Sequence, residues 1–125
     1  MEKTETFVRT DMHMADHLDN GVVGLHWVAG DGTIFWANRA DYEPLGYTHE
    51  EYVGHHIAEF HVDPDIIDDI FKRLSKGETL YNYRARLRHK NGSLQNVLIA
   101  SSVLFGNDGN FVHTRCFTVL APSNV

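Results

Sequence analysis

The stretch of residues 34–65 runs IFWANRADYEPLGYTHEEYVGHHIAEFHVDPD. It opens as a strand, because β-branched and aromatic residues follow the Asp31-Gly32 turn. It breaks at Asn38, whose side chain can accept a bond from the free amides of a following helix. Arg39 to Leu45 is too short to hold as an independent helix, and Gly46 ends it with a left-handed cap. Thr48-His49-Glu50-Glu51 reads as a capping box, with Thr48 answering Glu51, and Gly54 stops the second short helix. A strand followed by one- and two-turn helices must wrap something and lean on a sheet. Such helices make a pocket wall.

Working outward, Val22 to Ala29 reads as an apolar strand that turns at Ala29-Gly30-Asp31-Gly32 into Thr33–Ala37, a hairpin. Both strands carry large apolar groups on both faces, so each face is expected to be covered. The short helices cover one. The other takes an N-terminal helix or a second subunit. Upstream, Phe7, Val8, Met12, Met14, Ala15 and Leu18 form an apolar stripe at helical spacing. That helix packs on its own domain or between two copies, and the residues leave both open. His13 and His17, four apart without a carboxylate partner, read as surface histidines.

Downstream, Asp63 or Asp65 caps the next helix, Pro64 sets its entry, and Ser75-Lys76-Gly77 ends it. Its apolar face is Ile66, Ile67, Ile70, Phe71 and Leu74. Then Tyr81, Tyr83, Ala85 and Leu87 alternate with Asn82, Arg84, Arg86 and Arg88, the period of a strand with one buried face. The arginines read as the solvated side. Turns at His89–Gly92 and Gly106–Gly109 separate two further strands, Leu94–Phe105 and Phe111–Leu120. Two strands, helices, then three strands make an α+β domain on an antiparallel sheet.

At 125 residues the chain is one domain, with 42% apolar, 22% charged and 11% aromatic residues. A net charge of −6 argues against nucleic acid or an anionic membrane as partner. One cysteine, Cys116, cannot close an internal disulfide. No apolar run has membrane-spanning length and no signal peptide is evident, so a cytoplasmic location is expected.

Asp31-Gly32-Thr33-Ile34-Phe35-Trp36-Ala37-Asn38-Arg39-Ala40, then Leu45-Gly46-Tyr47-Thr48, Glu50 to Gly54 and Ile57, resemble the first half of a PAS domain. More narrowly they resemble the sensory-box modules of bacterial histidine kinases. The likeness spans Asp19 to Leu120. It divides the chain into a flanking helix, 1–18, a PAS domain, 19–121, and a tail, 122–125. It implies a five-stranded antiparallel sheet of order 2-1-5-4-3, short helices over one face, and a cavity between them. Candidates for lining that cavity are Trp27, Trp36, Tyr42, His56, Phe60, Ile67, Phe71, Leu98 and Cys116, each of which also reads as plain core. Such modules usually end in an Asp-Ile-Thr type motif leading into a signalling helix. Here Pro122 opposes one, so the chain is a stand-alone protein or a segment of a larger sensor, and the sequence leaves both open.

Three functions are expected to compete. The first is a sensory module of two-component type that binds a small ligand and reports to a kinase or response regulator, in cis or in trans. The second is a ligand-free dimerisation and interaction module. The third is an enzyme or metal site built from His56, Glu59, His61 and Asp63. Nucleophile-elbow, phosphate-loop and zinc-helix motifs are missing, and those four groups read as capping groups, so no catalysis is expected. Flavin light sensors of this superfamily carry Asn-Cys-Arg before the long helix, where this chain has Glu59-Phe60-His61-Val62; haem sensors usually place a histidine on that helix, and 65–74 has none. Both cofactors are therefore disfavoured and the ligand is unknown. A homodimer is expected through residues 6–18 and the outer face of the sheet.

Overall fold

The structure is a computed structural model that describes residues 23–121. Five strands, β1 (Gly24–Val28), β2 (Ile34–Ala37), β3 (Leu80–Arg88), β4 (Leu94–Phe105) and β5 (Phe111–Leu120), form one antiparallel sheet of order β2-β1-β5-β4-β3. Between β2 and β3 come α1 (Arg39–Tyr42), a 3₁₀ turn (Glu43–Leu45), α2 (His49–Tyr52), a second 3₁₀ turn (Ile57–Phe60) and α3 (Pro64–Ser75). The expected fold is therefore present, order included. The helix expected over residues 6–18, with His13 and His17, and the 122–125 tail lie outside the described residues.

The helical segments pack on one face, where their apolar side chains meet those of β3 and β4. Ile67, Ile70 and Leu74 recur three and four apart on α3 and are buried against Leu80, Ala85, Leu87, Val97 and Ile99 of the sheet. Tyr42, Leu45, Tyr52, Ile57 and Phe60, one or two from each short segment, complete the core. None of these segments could stand alone, and burial of those side chains holds them. Gly46 ends the first pair with φ +88°, and Lys90 donates its amide to Leu45 O, which ties that corner to the β3–β4 turn.

Two departures from simple alternation change what each face shows. Phe35 is an extra residue against β1: Val28 pairs with Ile34 but Trp27 pairs with Trp36. In β3 the expected buried series Tyr81, Tyr83, Ala85, Leu87 is wrong at its first member. The register shifts between Leu80 and Tyr83, Asn82 takes φ +49°, and Leu80 turns inward while Tyr81 is 78% exposed. A period-two reading carries no sign of a bulge, so it assigns Tyr81 to the wrong face. The arginine row is also more than solvated surface, since Arg86 holds Asp63 by two bonds of 2.9 and 2.6 Å.

Candidate functional site

His26 on β1, Cys116 on β5 and Ser101 on β4 face one another across three adjacent strands, His26 opposite Cys116 and Cys116 opposite Ser101. Strand alternation puts all three on the face under the short helices, beside the buried hydroxyls of Thr114 and Thr118 and below the apolar core. Ser101 Oγ donates to Cys116 Sγ at 2.9 Å. From above, α1 lowers Asp41 so that its Oδ2 lies 3.0 Å from His26 Nδ1, and the Tyr52 hydroxyl on α2 donates to the same oxygen at 2.6 Å. Gly24 permits this approach: a Cβ there would lie 2.6 Å from Asp41 Oδ1. His26 and Asp41 are 5% and 6% exposed. Their contact is one of charge more than of a well-directed bond, because the ring N–H of His26 does not point along it.

Electrostatics make this row a charged element below the apolar core. Burial opposes charge on His26, yet the Asp41 carboxylate and the Cys116 sulfur outweigh it and hold the imidazole well above its ordinary value. Burial, then Asp41, pushes the Tyr52 hydroxyl well above its ordinary value, so it stays a donor. Cys116 is lowered: burial works the other way, but His26 prevails. His61 is pushed down to about 4, first by burial and then by the charge on His26, and its Nδ1 has no partner among the described residues. The surroundings thus favour charge on His26 and the neutral ring of His61.

Of the capping assignments, Thr48 holds and Asn38 does not, and Asp63 stands at the N-cap of α3 without a side-chain cap bond because Arg86 takes its carboxylate. Thr48 Oγ1 accepts Glu51 N at 3.2 Å while Glu51 Oε1 accepts Thr48 N at 2.9 Å. Fully buried Asn38 makes no side-chain cap; its amide accepts from Leu25 N at 2.8 Å and donates to Val23 O at 2.9 Å, extending the hydrogen-bonding edge of β1 past the end of β2. The expectation failed because a cap and a strand bridge use the same residue type, and only the third dimension distinguishes them. The acidic and histidine cluster is dispersed in local bonds. His56 Nδ1 accepts Ala58 N and Glu59 Oε2 accepts His56 N, a second capping box that sequence reading missed; Asp63 goes to Arg86. Among the described residues no three His, Cys, Asp or Glu side chains are placed to hold a metal.

The nine lining candidates separate into four groups. Tyr42, Phe60 and Ile67 are packed in the closed core, and Cys116 sits in the polar row. His56 and Phe71 line an open cleft of about 540 Å³ beside the β1–β2 turn, their rings edge to face at 6.0 Å. Trp27, Trp36 and Leu98 require correction: they alternate with the inward residues His26, Ala37, Val97 and Ile99, and so lie on the outer face. There Trp27 stacks on His113 at 5.1 Å and lies 4.9 Å from Trp36, with Phe35, Phe117 and Val119 exposed nearby. Sequence reading missed His26, Asp41, Tyr52 and Ser101. A charged-capable residue inside the apolar run 22–29, next to a glycine two residues before it, was the available signal.

A family model for the PAS domain matches residues 19–119. No curated protein matches the chain. Among solved structures it is similar to the PAS domain of a Colwellia psychrerythraea protein, at 17% identity and TM-score 0.76, over 88% of this chain and 95% of that one. It is similar to the PAS domain of an HTR-like protein from Haloarcula marismortui, at 19% identity and TM-score 0.74, over 96% and 98%. The light-state structure of the blue-light photoreceptor aureochrome1 LOV gives 18% identity and TM-score 0.74, over 86% and 88%. These likenesses establish the fold and leave the chemistry to the residues above.

Proposed function

The chain belongs to the PAS domain family, and on that premise we propose that it is a sensory and signalling module. It binds a small molecule and passes the change to a kinase or regulator through protein–protein contacts. The observation that carries this reading is the buried row from Ser101 and Cys116 through His26 to Asp41 and Tyr52. It joins the three central strands to the helical wall by charge, so a shift of the wall is felt directly in β1 and β5. On the far side of those strands are Trp27 and Phe117, on the face we assign to a second copy of the chain together with residues 6–18. The chain itself is read as non-catalytic, since His56, Glu59 and Asp63 are committed to caps and an ion pair. Flavin–thiol chemistry and haem ligation are not part of the proposal: the thiol is on β5 against Ser101, and α3 has no histidine. The cytoplasm is the proposed compartment; among the described residues no helix is long and apolar enough to cross a membrane.

The test is hydrogen exchange on protein made in cells, before and after extraction of bound small molecules with organic solvent and refolding. Faster exchange after extraction, in residues 39–60 and in β1 and β5, supports sensing. Identical exchange throughout favours the ligand-free interaction module.

A further inference from the structure

We propose that the open cleft between the β1–β2 turn, the second half of α3 and the β4–β5 hairpin binds a neutral, flat aromatic molecule carrying a hydrogen-bond acceptor. The biological role of this site rests on the sensory reading, whereas the binding itself does not. The cleft holds about 540 Å³, within the range of small-molecule sites. Its walls are Phe71 and Leu74 of α3, with Phe105 and Phe111 from the hairpin. Phe105 and Phe111 are half-exposed, as no single domain needs for its own core. Glycines set their positions. A Cβ on Gly30 would meet the Phe111 ring at 3.3 Å, and one on Gly77 would lie 3.8 Å from the Phe105 ring.

The polar group that chooses the ligand is His56. Its Nδ1 accepts the Ala58 amide proton at 3.1 Å, so the ring is held as the tautomer with hydrogen on Nε2. That Nε2 lies over Gly32, where a Cβ would run into the ring, and no acceptor is paired with it among the described residues. A rigid donor at the rim of an aromatic cleft selects an acceptor on a flat molecule. Charge narrows the choice. Asp31 is the charged side chain in the lining, with no lysine or arginine beside it, so an anion is disfavoured.

The described chain enters at Val23 and leaves at Ala121, where Gly24 pairs with Thr118; the cleft is at the other end of these strands, past the Val28–Thr114 pair. It also adjoins the buried row, since Thr114 in its lining is two residues from Cys116 on the same face and donates to Val28 O at 3.4 Å. A molecule wedged there presses on the strands that carry His26 and Cys116.

The experiment titrates the full chain with prodan, a neutral naphthalene ketone whose emission moves to the blue in apolar surroundings. One saturable site per chain is expected. Ser75→Trp, which fills the mouth from an exposed position, should weaken binding about tenfold. His56→Ala should weaken it roughly fivefold, the scale of one neutral hydrogen bond. Phe111→Ser, which removes a wall at the surface, serves if the tryptophan variant loses its far-ultraviolet helical signal. Binding that is unchanged in Ser75→Trp and His56→Ala, absence of a saturable site, or loss of binding in Phe117→Ser on the outer face would each overturn the assignment. A retained ligand mapped elsewhere in the domain would sink this cleft while leaving the sensory reading intact.

Discussion

Asp41→Asn removes one charge from the buried row and keeps its shape, which makes it the sharpest single perturbation of the fold. Asp41 and His26 are almost wholly out of water, so the loss of the carboxylate leaves the imidazole without its counter-charge and Tyr52 without its charged acceptor. Breaking one side of a buried pair costs about 3–5 kcal/mol. With a urea slope of roughly 1.5 kcal/mol/M for a small domain, the midpoint should fall by about 2 M or more. The pH dependence should weaken as well. In the native protein His26 is raised, so its contribution is complete below its unfolded value and is lost as pH rises through the folded one. In the variant the main raising charge is gone and Cys116 alone offsets burial, so less stability is lost as pH rises through the His26 titration. Urea denaturation at a series of pH values measures both. A loss below about 1 kcal/mol, the scale of a surface pair, or a pH profile parallel to that of the native protein, would refute the buried ion pair.

Other outcomes follow from the same contacts. Asn38→Ala should cost about 2–3 kcal/mol, since it strands the buried Leu25 amide and frees the part-buried Val23 carbonyl, whereas Thr48→Ala should cost about 1 kcal/mol as an exposed cap; thermal melts give the ranking, and equal losses would restore the helix-cap reading of Asn38. Sedimentation of the intact chain should show a dimer, and deletion of residues 1–18 a monomer or an aggregate; a monomeric intact chain at high micromolar concentration contradicts the dimer. The absorbance spectrum of freshly purified protein should show no visible band, and a Soret or photobleaching flavin band would contradict the reading of Glu59–Val62 and of α3.

Much of the fold was legible because its signals are local. The Thr48–Glu51 box, the left-handed Gly46 and the 3.6 period of α3 each depend on neighbours within a few residues, and each is where the sequence places it. The strand order came from resemblance rather than from any property of single strands. What escaped depends on register. The extra residue Phe35 and the left-handed Asn82 decide which side chains face inward, and neither leaves a periodic trace. The polar row escaped for a related reason: His26, Asp41, Tyr52 and Ser101 are far apart along the chain and meet only once three strands and two short helices are assembled. Trp27 and Trp36 are candidates for the cavity that the resemblance implies, yet alternation with His26 and Ala37 puts them outside. That displacement moves the apolar surface from the expected pocket to the face proposed for a partner.

Native mass spectrometry of protein purified from cells without unfolding tests the sensory reading most directly. A sensory module should show a population whose mass exceeds that of the 125-residue chain by one small molecule per subunit, and the excess should disappear on denaturation. A mass equal to the bare chain in every gentle condition, with exchange unaltered by solvent extraction, would contradict it.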